Sequence, residues 1–200
     1  MSRRFIDAYL SYFDSALGPP GVGDDPDAEA WVASQRLQRS DEGGRWLRGL
    51  AASAPPDTQW QYVPRALYSA FTWHELDVPM MRLVGPKNRL LNGICPSALQ
   101  HGSWPFALDL GDGGYYVADV AAEGRGAVWW CPNDSWDRAA RNGPYATSME
   151  HLLEVVALLL TPSGSLTNEQ IRHEIQSIDP LVAGPLWDGW WARQLDPSAT

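Results

Sequence analysis

Apolar side chains recur at three- and four-residue spacing through Phe5, Ala8, Tyr9, Tyr12, Phe13 and Ala16, which predicts a helix over residues 4–17 with one inward face. Gly18-Pro19-Pro20-Gly21 stops it, and an acidic loop follows through Asp27. A second helix is predicted from about Ala28 to Gln38, with Trp31 and Leu37 inward. A shorter one is predicted around Arg45 to Ala52, before Pro55-Pro56 breaks the pattern. Residues 1–56 are therefore expected to form a helical N-terminal extension.

Pro64 suits the first turn of a helix reaching about Trp73, with Leu67, Ala70 and Phe71 on one face. From Val78 to Ser103 the prolines at 79, 86 and 96 and several glycines predict short strands and loops. The pattern then sharpens. Phe106–Leu110, the glycine turn Gly111-Asp-Gly-Gly114 and Tyr115–Val120 read as strand, turn, strand, and Ala127–Cys131 reads as a third strand after Gly124-Arg-Gly126. An antiparallel meander is the economical arrangement. Pro132-Asn-Asp134 ends it, and Asn142-Gly143-Pro144 predicts a loop.

Thr147-Ser-Met-Glu150 has the spacing of a capping box, in which hydroxyl and carboxylate satisfy free backbone N–H groups. The helix it opens, to about Leu160, is apolar nearly all round and must be covered on most sides; the meander is the expected cover. Thr161-Pro162-Ser-Gly164 ends that helix. A second box, Thr167 to Gln170, starts another with Ile171, Ile175 and Ile178 on one face, closed by Asp179-Pro180. Trp187, Trp190 and Trp191 then follow at helical spacing and are expected to pack back on the body. The predicted class is α+β: a small antiparallel meander packed on helices over residues 57–163, with helical extensions at 1–56 and 164–200.

Composition adds constraints. The chain has 200 residues, 44% apolar and 20% charged, enough apolar material for a sizeable core. Its eleven tryptophans suit a core, an interface or a sugar-binding groove equally. The net charge of −9 argues against sequence-independent nucleic-acid binding, which requires clustered Lys and Arg, and against anionic membrane surfaces. An acidic protein is steered toward basic partners, although solubility alone explains the charge as well. No export signal is visible in MSRRFIDAYLSYFD, and the longest apolar run is far too short to cross a bilayer. A cytoplasmic location is expected. Two cysteines, Cys95 and Cys131, make neither a disulfide framework nor a zinc site.

Catalytic motifs fail on inspection. His74-Glu75 and His173-Glu174 resemble the start of a metalloprotease helix, but position 78 is Val and position 177 is Ser where a second His is required. Gly111-Asp-Gly-Gly114 lies between strands and lacks the trailing Lys-Ser/Thr of a phosphate loop. No Gly-x-Ser-x-Gly elbow occurs. Neither a cofactor nor a metal is expected. Asp109, Asp112 and Asp119 could cluster across the hairpin, either as paired carboxylates for acid–base work or as an acidic rim that engages a basic partner. The rim is the preferred reading.

Trp104-Pro-Phe-Ala-Leu-Asp-Leu-Gly-Asp-Gly-Gly-Tyr-Tyr-Val-Ala-Asp-Val120 resembles the central signature of the SUKH superfamily, a strand ending in a Gly/Asp turn before an aromatic strand that ends in Asp. Gly126-Ala-Val-Trp-Trp130 resembles its next strand, Tyr145 to Leu153 its closing helix, and Val63-Pro64-Arg-Ala-Leu67 its proline-initiated helix. The likeness spans about residues 60–160. It lacks the Gly-Gly or Asn-Gly pair common after the first helix, where this chain has Trp73-His-Glu-Leu-Asp77.

The resemblance implies an α+β domain with a curved sheet and a binding cleft, and no enzyme activity. It implies a bacterial immunity protein that neutralises a toxin, such as a basic nuclease, by direct binding, or a regulatory partner-binding module. Trp104, Asp109, Asp112, Tyr115, Asp119 and Trp136 are the expected contact residues. Two other classes stand beside it. One is a small hydrolase or sugar-active protein using an aspartate pair beside an aromatic groove; the other is a structural or assembly subunit joined through the Trp-rich C-terminus.

Overall fold

A computed structural model describes residues 3–16, 26–109, 113–133, 135–161 and 167–195. The N-terminal part holds α1 (Arg3–Ala16), α2 (Pro26–Ser34), β1 (Gln38–Arg39) and α3 (Glu42–Ser53). A single 3-10 turn at Trp60–Tyr62 leads to α4 (Arg65–Ala70), β2 (Phe71–Thr72), β3 (Glu75–Val78), β4 (Met81–Val84) and α5 (Arg89–Gln100). Next come β5 (Ser103–Leu108), β6 (Tyr115–Asp119), β7 (Val128–Cys131) and β8 (Asn142–Ala146). The chain continues as α6 (Met149–Leu160), α7 (Asn168–Ile178) and α8 (Asp188–Leu195).

The class is α+β. β1 pairs with β2, and β3 to β8 form one antiparallel sheet in strict chain order. The expected three-strand meander is the centre of this six-strand sheet. All five residues of β6 are buried, as befits a strand covered on both sides. Residues 111 and 112 of the expected glycine turn, residues 162–164 of the expected helix end and the expected breaks at residues 18–21 lie outside the described residues.

Register sorts the side chains. Tyr116 and Ala118 of β6 stand level with Trp130 and Val128 of β7, and all four belong to the main core. Tyr115 and Val117, level with Cys131 and Trp129, face the other way and form a separate small cluster. The main core runs without a break from Phe5 of α1 to Trp191 of α8. α6 meets α1, α7 and β8, so its all-round apolar surface is covered on several sides as its sequence demands.

Both edge strands are contacted by the terminal segments. The amide of Asp77 on β3 donates to Oε1 of buried Gln35 at 2.6 Å, and Tyr9 of α1 donates to the carbonyl of Gln35 at 2.7 Å. On β8, Nε1 of Trp187 donates to the carbonyl of Tyr145 at 2.8 Å. Fully buried Asp179 accepts both the amide and the hydroxyl of Thr147, at 2.7 and 2.8 Å. Edge strands left open invite pairing with other chains, and these contacts occupy part of each edge.

The structure corrects several expectations. Residues 89–100 are a helix rather than loops. Asn88 caps it by accepting from Leu91 N at 2.9 Å, and Leu91, Cys95, Ala98 and Leu99 make its buried stripe. Pro96 is tolerated because the carbonyl it cannot bond, that of exposed Asn92, has access to water. Asn142–Ala146 is the strand β8, not a loop. α4 stops at Ala70, and Phe71 and Thr72 pair with Arg39 and Gln38 instead of extending it. Trp31 points outward, 46% exposed, while Leu37 is buried but lies beyond the end of α2. The cap of α6 is Ser148, which accepts from His151 N at 3.1 Å; Thr147 is taken by Asp179 instead. The box at Thr167 and Gln170 forms as expected, and Trp187 and Trp191 are buried.

Candidate functional site

The six expected contact residues separate into three groups. Trp104 lies in the main core with no exposed surface, ringed by Trp46, Trp60 and Tyr68 at centroid distances of 5.6, 6.1 and 5.3 Å. It cannot be a partner contact in this conformation. Asp109 sits half-buried at the turn end of the hairpin, its amide donating to the carbonyl of Gly114 at 3.0 Å. Asp112 lies outside the described residues.

The third group, Tyr115, Asp119 and Trp136, meets on the second face of the sheet. After β7 the chain crosses this face, and the segment from Ser135 to Arg141 lies over it. Trp136 packs on Tyr115 with ring centroids 5.4 Å apart, and Ile94, Leu108 and Trp129 complete the cluster around Val117 and Cys131. Tyr115 is therefore covered by Trp136 and nearly inaccessible. Burial raises both the Tyr115 phenol and the Cys131 thiol above their ordinary values. For Cys131 the Arg141 guanidinium opposes that shift and Asp119 adds to it.

Asp119 is the pivot of the crossing. Its Oδ2 accepts from Arg138 and from Nη1 of Arg141, the latter at 2.9 Å. Its Oδ1 accepts from the amide of Ala121 at 3.2 Å. Asp119 and Arg141 are 3% and 2% exposed at the side chain, so this is a buried ion pair, and Arg141 also donates to Ser103 Oγ and the His101 carbonyl. Arg138 spans from Asp119 to Glu123, whose carboxylate is held below its ordinary range by its own backbone amide and by Arg138. Gly124 is required here, since a Cβ at that position would stand 2.0 Å from the Asp119 carboxylate.

Of the three aspartates, the two described ones, Asp109 and Asp119, stand apart. Asp109 is level with Gly114, five residues from Asp119 along β6, about 17 Å at ~3.3 Å per residue. Paired carboxylates of a glycosidase stand within about 10 Å. Asp109 and Asp119 do not make such a pair, and Asp119 spends its oxygens on arginines. Among the described residues no group of three His, Cys, Asp or Glu is placed to hold a metal ion, and no helix is long and apolar enough to cross a membrane.

The open surface next to this clamp of Arg138 and Arg141 on Asp119 is a cleft of about 360 Å³. Its lining includes exposed Asp57 from the segment before the 3-10 turn, Glu123 from the turn after β6, and Asp137 from the crossing segment. Thr58, Gln100, His101 and Arg138 complete the polar lining. Asp57, Glu123 and Asp137 were not legible as a set, because nothing local links three carboxylates spread over eighty residues. Arg138 and Arg141 were missed for the same reason, lying 19 and 22 residues from Asp119. No protein-family model, no curated protein and no solved structure matches the chain.

Proposed function

We propose that the chain is a non-enzymatic protein-binding module of the immunity type, which neutralises a basic protein toxin, such as a nuclease, by direct one-to-one binding. The observation that carries this reading is the cleft rimmed by Asp57, Glu123 and Asp137. Three segments bring carboxylates to one concave surface, while Arg138, the cation among them, is engaged by Asp119 and Glu123. A net charge of −9 adds a long-range field that speeds encounter with a cationic partner. The SUKH resemblance points the same way and rests on its motifs alone.

The contact surface in this reading differs from the six residues expected from sequence. Tyr115, Trp136 and Asp119 support the surface from below, holding the crossing segment and the turn at Ala121–Gly126 in place. Asp57, Glu123 and Asp137 meet the partner.

The test is surface plasmon resonance of the full chain over the immobilised product of the neighbouring gene, repeated across salt concentrations, with stoichiometry checked by titration calorimetry. A one-to-one complex is expected, with an association rate that falls as ionic strength rises. The triple variant Asp57→Asn, Glu123→Gln, Asp137→Asn should slow association by about tenfold or more while keeping the fold. Absence of any complex at low salt, or an unchanged rate in the triple variant, sinks the reading.

A further inference from the structure

The turn that supplies Glu123 to the acid-rimmed cleft continues into a second cleft of opposite character. Arg125 and Gly126 line this one, of about 420 Å³, together with Trp60, Tyr62 and Arg65. Val63, Pro64 and Met149 are buried beneath it, so the floor is apolar. Trp60 and Tyr62 are half-buried. Arg65 and Arg125 are exposed, and neither guanidinium has a hydrogen-bond or ion-pair partner among the described residues. Glu150 also lines the cleft and has an interaction of its own.

The turn is built to keep Arg125 where it is. Its backbone lies in the left-handed region at φ 51°, a conformation that glycine adopts without strain and arginine does not. Gly126 follows at φ 76°, and a Cβ there would meet the Tyr62 ring at 2.6 Å. The close seating of Gly126 on Tyr62 therefore fixes the turn against the aromatic wall, with Arg125 beside it.

We propose that this second cleft takes an acidic peptide segment of the protein partner, its carboxylates on Arg65 and Arg125 and its apolar groups on Trp60 and Tyr62. The assignment rests on the protein-binding reading above and refines it. Charge complementarity selects this occupant. Two cations with no hydrogen-bond or ion-pair partner among the described residues share one aromatic groove on a molecule of net charge −9, next to a cleft with the opposite sign. A partner bearing a basic and an acidic patch side by side would dock in one orientation, because the reversed pose sets like charges together.

The experiment uses the isotopically labelled full chain and two probes, hexaglutamate and hexalysine, followed by amide and indole chemical shifts. Hexaglutamate should move the Arg65 and Arg125 amides and the Trp60 indole N–H. The double variant Arg65→Ser, Arg125→Gly should weaken that response at least about tenfold with an unchanged melting curve, since glycine relieves the turn. No shift at millimolar peptide overturns the proposal, and so does an equal response in the double variant. Inorganic phosphate that moves the same signals as strongly as the peptide at equal concentration also overturns it. Hexalysine, read at Glu123 and Asp137, tests the acid-rimmed cleft separately. A response to hexaglutamate alone upholds this cleft and removes the other; a response to hexalysine alone does the reverse.

Discussion

The two faces of the sheet are held by different physics. On one face Tyr116, Ala118, Val128, Trp130 and Ala146 join a core that runs through α1, α6 and the C-terminal tryptophans. On the other, three fully covered residues, Tyr115, Val117 and Cys131, sit beneath one crossing segment, and a buried ion pair closes the end. The first face is bound by area, which is non-directional and shared among many side chains. The second is bound by a small apolar cluster and by a few directional contacts centred on Asp119 and Arg141. Redundancy protects the first face, and the second has little.

Asp119→Ala should break this comparison most strongly. It leaves Arg141 buried with no carboxylate, a loss of about 3–5 kcal/mol by the usual cost of orphaning one member of a buried pair. Urea unfolding measures it. A double change of Asp119 and Arg141 to well-packed apolar residues should cost less than the single one, because no buried charge then remains. If the single variant is as stable as the parent, the clamp is not what holds the crossing segment.

Leu152→Ala on α6 probes the other face. A fully buried leucine truncated to alanine costs about 2–5 kcal/mol, and a large core that closes around the gap should bring the value toward the lower end. Trp136→Ala comes next. Trp136 is half-buried, so the loss should be about 1–3 kcal/mol, accompanied by new exposure of Tyr115 and Cys131. Reaction of Cys131 with a thiol reagent would report that exposure, while Cys95 in the main core should stay silent.

Alkaline titration sharpens the contrast at smaller amplitude. Burial raises the Cys95 and Cys131 thiols above the ordinary 9.0 and the Tyr9 and Tyr68 phenols above the ordinary 10.0. The folded form therefore resists ionisation that the unfolded chain accepts. Their contribution is fully present below pH 9 and is lost progressively above it, first for the thiols and then for the phenols. Glu123 has the opposite sign. Its lowered folded value adds stability above the ordinary carboxylate range that fades as pH falls through the folded value. Substituting Glu123 with Gln should flatten that acid limb slightly and leave the alkaline one unchanged.

Much of the fold was legible along the chain. Helix faces at Phe5/Tyr9/Phe13 and the apolar run of α6, the short apolar runs between glycine turns that become β5 to β7, and the cap at Thr167 are all local patterns, with information inside a window of a dozen residues or fewer. The reading failed where a local signal competed with a distant partner. Pro96 argued for a loop, yet the stripe Leu91, Cys95, Ala98, Leu99 had a core to cover and prevailed. Asn142-Gly143-Pro144 spelled a turn, but β7 offered an unpaired edge on one side and Trp187 covered the other. Thr147 had the spacing of a cap and was claimed instead by Asp179, 32 residues away.

The α+β class, the central meander, the apolar helix that follows it and the acidic balance can all be read along the chain, because periodicity and charge count need no knowledge of what lies opposite. That Trp104 is core, that Asp109 and Asp119 stand at opposite ends of a hairpin, and that Arg138 and Arg141 close on Asp119 are set by the folded arrangement alone. A buried carboxylate accepts whichever cations the folded chain delivers to it. Delivery depends on strand register and on the path of the crossing segment, and neither is written in the spacing of neighbouring residues.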